Sequence, residues 1–388
     1  MERPQLMKKI RLLFVTGSRG EWGYIRPILK LIQKSNQFSY ELCVTNMHLL
    51  PSFGNSYKEI ENDGFNIKYK INMSVDGYNH QTQVKSLGIF LSSFSDILSS
   101  DKPDWIILAG DRGEQLMASI AGAYTYCPVL HIQAGERSGN IDGMSRHAIG
   151  KFTHIHIASN KDAKERLIKL GEEDFRVYNV GAPQLDELVN GLYTDKEILN
   201  KNFNFNFNNK YLLVVQHPVT EEFEKADFQI KETMSALSDF NIPKIVIMPN
   251  NDAGSIKIQI GIEKFLKGDY QVFSNLSRQD YLGILNNASV IVGNSSSGIL
   301  EAPTFKIPCV NIGRRQNGRE QAKNVINCDF DKLEIKNSIE KALDENFKKS
   351  LKKNCINPYG DGKSSKKILE IILKSKINNK LIVKDITY

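Results

Sequence analysis

Apolar, strand-like runs that stop at a glycine or polar break and pass into helical spacing recur along this chain, and that pattern leaves few folds open. Residues 10–15 break at Thr16-Gly17-Ser18-Arg19-Gly20, and residues 24–32 follow with a helical period. Residues 105–108 break at Ala109-Gly110-Asp111-Arg112-Gly113, and an alanine-rich helix is expected over 115–124. Residues 129–132 end in Gln133-Ala134-Gly135-Glu136-Arg137-Ser138-Gly139, residues 211–215 in Gln216-His217-Pro218, and residues 245–248 in Pro249-Asn250-Asn251-Asp252. Strands alternating with helices predict an α/β fold with parallel sheets, most simply as two Rossmann-like halves. Ligands of such sheets bind beyond the carboxyl ends of the strands, where nearly every candidate polar group of this chain falls.

The most telling break is Gly293-Asn294-Ser295-Ser296-Ser297-Gly298, directly after the β-rich run 288–292, with a carboxylate, Glu301, one turn later. A strand that ends in glycine and small hydroxyl residues and opens into a helix leaves backbone N–H groups unpaired at the positive end of the helix dipole. That arrangement suits a phosphate.

With 388 residues the chain has room for two domains of ordinary size, and the Gly181-Ala182-Pro183 break marks the expected boundary. The division expected is 1–182, 183–360 and a C-terminal helix with tail over 361–388. Past that boundary and before the strand at Tyr211, residues 200–209 alternate Asn with Phe and read as an irregular, partly packed connector. No apolar stretch approaches the roughly 20 residues that span a bilayer, and residues 1–9 lack the apolar core of a signal peptide, so a cytoplasmic protein without a membrane partner is expected. The five cysteines are scattered without a C-x-x-C pair, as reduced thiols would be. A net charge of +7 is concentrated in lysines near the C-terminus that read as a solvated helix face; no basic and aromatic stripe points to nucleic acid.

Among the histidines, His154 and His156 lack a third metal ligand nearby and His131 lies within a strand, so structural roles are expected. His217 differs, because Pro218 breaks the chain and leaves the imidazole at a strand rim as a candidate acid, base or phosphate ligand. Asp142 opens a helix and reads equally as its cap or as a catalytic carboxylate.

Taken in order, Gly110-Asp111-Arg112, His131 to Glu136 with Ser138 to Asp142 and Arg146-His147, Gln216 to Thr220, Pro249 to Ser255, and Gly293 to Ser296 resemble the signature set of the hydrolysing UDP-N-acetylglucosamine 2-epimerases. The branch most similar serves sialic-acid-type sugars, including legionaminic acid precursors. The resemblance implies a two-domain glycosyltransferase B type fold, a UDP-sugar in the cleft, a last helix that crosses back to the first domain, and a homodimer or homotetramer. It also implies a reaction without NAD or an obligatory metal: loss of UDP from C1 with removal of the C2 proton, then hydration that inverts C2.

Carried over by position, the resemblance places Arg19, Arg112, His217, Ser295, Ser296 and Arg315 around the diphosphate, Glu301 on the ribose hydroxyls, and Asn250 in the ordering of the cleft. Arg146 is expected beside the substrate, and Asp111 and Asp142 are expected as acid/base groups. Two positions depart from the family pattern. Gln133 stands where a catalytic Glu is usual and cannot shuttle a proton at neutral pH, so either Glu136 takes that duty, or Gln133 only orients substrate, or turnover is lost. Gly23 stands where relatives of the animal type carry a nucleotide-contacting Ser. A glycosyltransferase of the same fold and a catalytically silent sugar-nucleotide sensor are the alternatives, and UDP-N-acetylglucosamine, UDP-N,N′-diacetylbacillosamine and a GDP-linked sugar all remain open as ligands.

Overall fold

The computed structural model describes residues 8–76, 80–138, 141–249, 254–266, 268–274 and 276–387. Two sheets, all of whose strand pairs are parallel, organise it. The first contains β1 (Ile10–Thr16), β2 (Phe38–Thr45), β3 (Tyr69–Ile71), β4 (Trp105–Ala109), β5 (Val129–Ile132), β6 (Ile155–Ala158) and β7 (Val177–Asn179), in the order β3-β2-β1-β4-β5-β6-β7. The second contains β8 (Leu212–Val215), β9 (Lys244–Ile247), β10 (Tyr270–Phe273), β11 (Val290–Gly293), β12 (Cys309–Ile312) and β13 (Val325–Cys328), in the order β10-β9-β8-β11-β12-β13. The central strands are continuous Val, Ile and Leu runs because helices cover both faces of each sheet and leave no face for water.

Both strand orders reverse direction at a single point, between β1 and β4 in the first sheet and between β8 and β11 in the second. A crevice opens beyond the carboxyl ends at such a switch point. The loops after β1 and β4 carry Arg19, Asp111 and Arg112, and those after β8 and β11 carry His217, Ser295 and Ser296.

The chain returns to the first half at its end. Helix Ser364–Lys374 buries Ile368, Leu369 and Ile372 in the same apolar cluster as Leu12, Phe14 and Ile25. The tail behind it is clamped by Arg176, whose buried guanidinium donates to the carbonyls of Lys380, Leu381 and Val383 at 2.7, 2.6 and 2.8 Å. Helix Gln184–Val189, just past the Pro183 break, contributes Leu185 and Leu188 to a cluster with Leu282, Ile299 and Tyr359.

The Asn/Phe connector is partly packed: Phe207 is buried against Tyr211, while residues up to Asn202 finish a short helix, Lys196–Asn202. One local difference from the sequence reading concerns the Gly/Ser motif. Its helix is a single turn, Ser297–Leu300, broken at Glu301 and resumed as Ala302–Phe305. Pro303 explains the break, since it has no N–H to continue the ladder and its ring crowds the preceding turn.

Candidate functional site

Two adjoining cavities lie between the sheets. The larger, of about 290 Å³, is walled by Arg19, Arg112, His217, Arg278, Ser295, Ser296 and Glu301 among others. The smaller, of about 130 Å³, is walled by Glu21, Asp111, Arg112, Asp142, Arg146, Arg315 and Arg319 among others. Tyr24, Arg112 and Ser296 belong to both, so the cavities form one cleft with two compartments.

On the second-sheet side the loops after β8 and β11 meet through backbone, amide and hydroxyl groups fixed by hydrogen bonds. Gly293 ends β11 at φ +131°, and a Cβ there would lie 2.2 Å from the Val215 carbonyl oxygen, so only glycine lets the two loops approach. The Asn294 side chain then clamps His217 in both directions: Oδ1 accepts from its backbone N–H at 2.7 Å and Nδ2 donates to its carbonyl at 2.8 Å. Gln316 and Arg315 donate to the Asn294 carbonyl at 2.9 and 3.3 Å. Ser295 Oγ lies 3.1 Å from Ser297 Oγ, which also bonds the Tyr281 hydroxyl.

Glu301 sits 4% exposed at the back of the larger cavity, its Oε1 taking Arg278 Nη2 at 3.2 Å and its Oε2 buried without a hydrogen-bond partner. A carboxylate oxygen in that state is matched to donors the protein does not supply, such as vicinal hydroxyls. Arg278 reaches Glu301 across Gly23, where a Cβ would stand 3.0 Å from Arg278 Nε. The departure at Gly23 therefore makes room for a guanidinium.

The first-sheet side is charged. Arg146, buried on helix Ile141–Phe152, pairs with Asp111 Oδ2, lies 3.5 Å from Glu136 Oε2 and donates to the Gln133 carbonyl at 3.2 Å. Burial pulls the Asp111 carboxyl up, but Arg146, Arg319 and Arg112 outweigh it and hold the group below the ordinary carboxylate range. The Asp111 and Glu136 carboxylates in turn raise Arg146 against its burial. Asp142 lies in the first turn of that helix and on the wall of the smaller cavity.

Gln133 and Glu136 are placed differently from the other sequence candidates. Both are buried beside Arg146 and neither lines the two cavities. Gln133 adopts φ +63°, a left-handed conformation uncommon for a side-chain-bearing residue, and both its amide atoms lack partners. Asn250 lies outside the described residues. His131, His154 and His156 bond the Gly110 carbonyl, the Val129 N–H and Glu172 respectively, and none of the three lines either cavity. Among the described residues no group of three or more His, Cys, Asp or Glu is placed to hold a metal ion.

Among the cavity residues without a role in the sequence reading are Glu21, Tyr24 and Arg278, while Arg319 follows the family pattern and was readable only as a structural residue. Glu21 follows Ser18 by three residues and so signals a capping box, which it does form. Arg319 approaches Glu136 Oε2 to 3.9 Å from the opposite half. Further bonds tie the halves together, from Ile141 N–H to Glu221 Oε1 at 2.6 Å and from Arg278 N–H to Glu59 Oε1 at 3.1 Å.

Comparison with known proteins bears on the family and the fold. The family model described as UDP-N-acetylglucosamine 2-epimerase matches residues 30–373. The chain is 36% identical, over 95% of its length and 98% of the relative's, to UDP-N,N′-diacetylbacillosamine 2-epimerase (hydrolysing) of Legionella pneumophila. It is 34% identical, over 89% and 90%, to GDP/UDP-N,N′-diacetylbacillosamine 2-epimerase (hydrolysing) of Campylobacter jejuni. In fold it is similar to the crystal structure of UDP-GlcNAc 2-epimerase from Neisseria meningitidis bound to UDP-GlcNAc, with a TM-score of 0.80 at 20% identity, over 94% of this chain and all of that one.

Proposed function

Because this chain belongs to the UDP-N-acetylglucosamine 2-epimerase family and has its two-domain glycosyltransferase B type fold, we propose that it hydrolyses a UDP-linked N-acetylated sugar with inversion at C2. The single observation that carries the reading is the convergence of both switch points on one cleft, with the Asp111 and Asp142 carboxylates on one wall and serines, a histidine and an unpartnered Glu301 oxygen on the other. The nucleotide lies in the larger cavity, with its ribose hydroxyls on Glu301 and its diphosphate among Arg19, Arg112, His217, Ser295, Ser296 and Arg315. The sugar occupies the smaller one.

In the first step Asp111 takes the C2 proton while the C1–O bond breaks, its electron pair leaving on the diphosphate and a C1=C2 double bond forming. Guanidinium groups and hydroxyl donors stabilise the charge that grows on the departing phosphate. In the second step water supplies hydroxide to C1 and a proton reaches C2 from the opposite face, with Asp142 in the same cavity serving the transfer. The products are UDP and an N-acetylmannosamine-type sugar for sialic- or legionaminic-acid-type synthesis. Glu136 and Gln133 orient Arg146 and through it Asp111.

The domain division follows as 1–182, 183–360 and 361–388. A cytoplasmic homodimer or homotetramer completes the reading; the five cysteines are free, and among the described residues no helix is long and apolar enough to cross a membrane. Since two relatives are named for diacetylbacillosamine nucleotides, UDP-N,N′-diacetylbacillosamine is the first substrate to test, beside UDP-N-acetylglucosamine. NMR of the released sugar identifies the substrate and the C2 configuration. A C2 configuration retained in the product overturns the proposal.

A further inference from the structure

Glu21 is 2% exposed, yet it forms part of the wall of the smaller cavity. Its two oxygens have different surroundings. Oε2 accepts the Gly17 and Ser18 backbone N–H groups at 2.5 and 3.2 Å, which closes the N-terminus of helix Arg19–Gln33. Oε1 is buried without a hydrogen-bond partner. A carboxylic acid fits this asymmetry, its carbonyl oxygen taking the two amides and its hydroxyl left for something the protein does not provide.

We propose that Glu21 is a further substrate-contacting residue, whose carboxylic acid donates a hydrogen bond to a β-phosphate oxygen of the bound nucleotide where it enters the smaller cavity. The inference rests on the nucleotide placement above and assigns a residue to that site from geometry alone. The surroundings favour the neutral acid. Glu114, itself buried, faces Glu21 across Gly17, whose Cβ would stand 2.0 Å from Glu114 Oε1. Burial and the Glu114 charge push the Glu21 carboxyl up, against Arg112, the Gly17 amide and the Gln115 side chain, which pull it down.

The other charged groups around this compartment are Asp111, Asp142, Arg146, Arg315 and Arg319. A phosphate drawn in by these arginines adds one more negative charge, and it tolerates Glu21 only as a donor.

The test is UDP binding by calorimetry from neutral to alkaline pH, with the wild type, Glu21→Gln and Glu21→Met. A raised carboxyl is neutral below its pKa and ionises as pH rises through it, so wild-type affinity should hold near neutrality and fall on the alkaline side. Glu21→Met should bind UDP roughly 10- to 100-fold more weakly, the scale of one lost bond to a charged acceptor. Glu21→Gln keeps an acceptor for the two amides and a donor for the cavity, so it should recover most of that loss and show no alkaline fall. Thermal melts without ligand separate a failure to fold from a failure to bind.

Wild-type affinity in folded Glu21→Met, or an unaltered alkaline fall in Glu21→Gln, overturns the assignment. Binding does not depend on turnover. A protein that shows this profile and yet releases no sugar keeps the Glu21 assignment and overturns the epimerase reading.

Discussion

The two walls of the cleft solve different problems with different chemistry. The second-sheet wall positions Asn294, His217 and Ser295 to Ser297 through short-range hydrogen bonds among backbone, amide and hydroxyl groups. The first-sheet wall holds Asp111, Glu136 and Arg146 in a buried ionic cluster reached by Arg319 from the other half. Backbone and hydroxyl donors beside Arg315 can hold a diphosphate that arrives charged and leaves more charged without moving a proton of their own. Moving a carbon-bound proton needs a titratable group whose charge state is fixed in advance, and only the ionic cluster supplies it.

The comparison is broken most severely at Asp111. Asp111→Asn should lower kcat/KM by about 10²- to 10⁴-fold, the span of a general base, while UDP still raises Tm as in the wild type. His217→Ala should lose roughly 10²-fold and leave the fold intact, judged by the melt without ligand. An Asp111→Asn enzyme that loses UDP binding together with activity would erase the division between the walls. The pH profile gives the sign independently. Because arginines hold Asp111 below the ordinary range, its base form persists into acid and is lost only as pH falls through that lowered value. An acid limb assigned to Asp111 at or above about pH 4 contradicts this placement.

A smaller effect is expected at Glu301. UDP binding only the folded chain stabilises it by mass action, and Glu301→Ala should weaken UDP roughly 10-fold, as one lost charged hydrogen bond does, reducing the thermal shift accordingly. The smallest concerns Gln133, which lies behind Arg146. Gln133→Glu should leave kcat/KM within about an order of magnitude of wild type or slow it, because another carboxylate beside Glu136 and Asp111 raises its neighbours' pKa. A large acceleration would show that position 133 carries the proton itself.

The walls also differed in how plainly the sequence announced them. Asn294 to Glu301 is contiguous, and glycine, small hydroxyls and a following carboxylate after a β-rich run mark a strand end without knowledge of what packs nearby. The central strands were readable for a similar reason, since a parallel strand buried on both faces must be an unbroken apolar run. Glu21 was not readable, because Ser18-x-x-Glu21 is fully explained as a helix cap and only the tertiary structure leaves Oε1 without a partner. Arg278 opens a helix far along the chain, and its approach to Glu301 depends on a Cβ that Gly23 lacks. The break at Glu301 had a local cause in Pro303 that the strand-to-helix pattern concealed.

The central claim is elimination of the diphosphate with loss of the C2 proton, followed by hydration, and isotope incorporation at C2 tests it most directly. The protein is incubated with UDP-N,N′-diacetylbacillosamine and, separately, with UDP-N-acetylglucosamine in deuterated water containing EDTA, and the released sugar is read by NMR. The account predicts release of UDP and a C2-inverted sugar that carries deuterium at C2 in the first turnover. A released sugar that retains protium at C2, or tight UDP binding with no sugar released from either substrate, would contradict it.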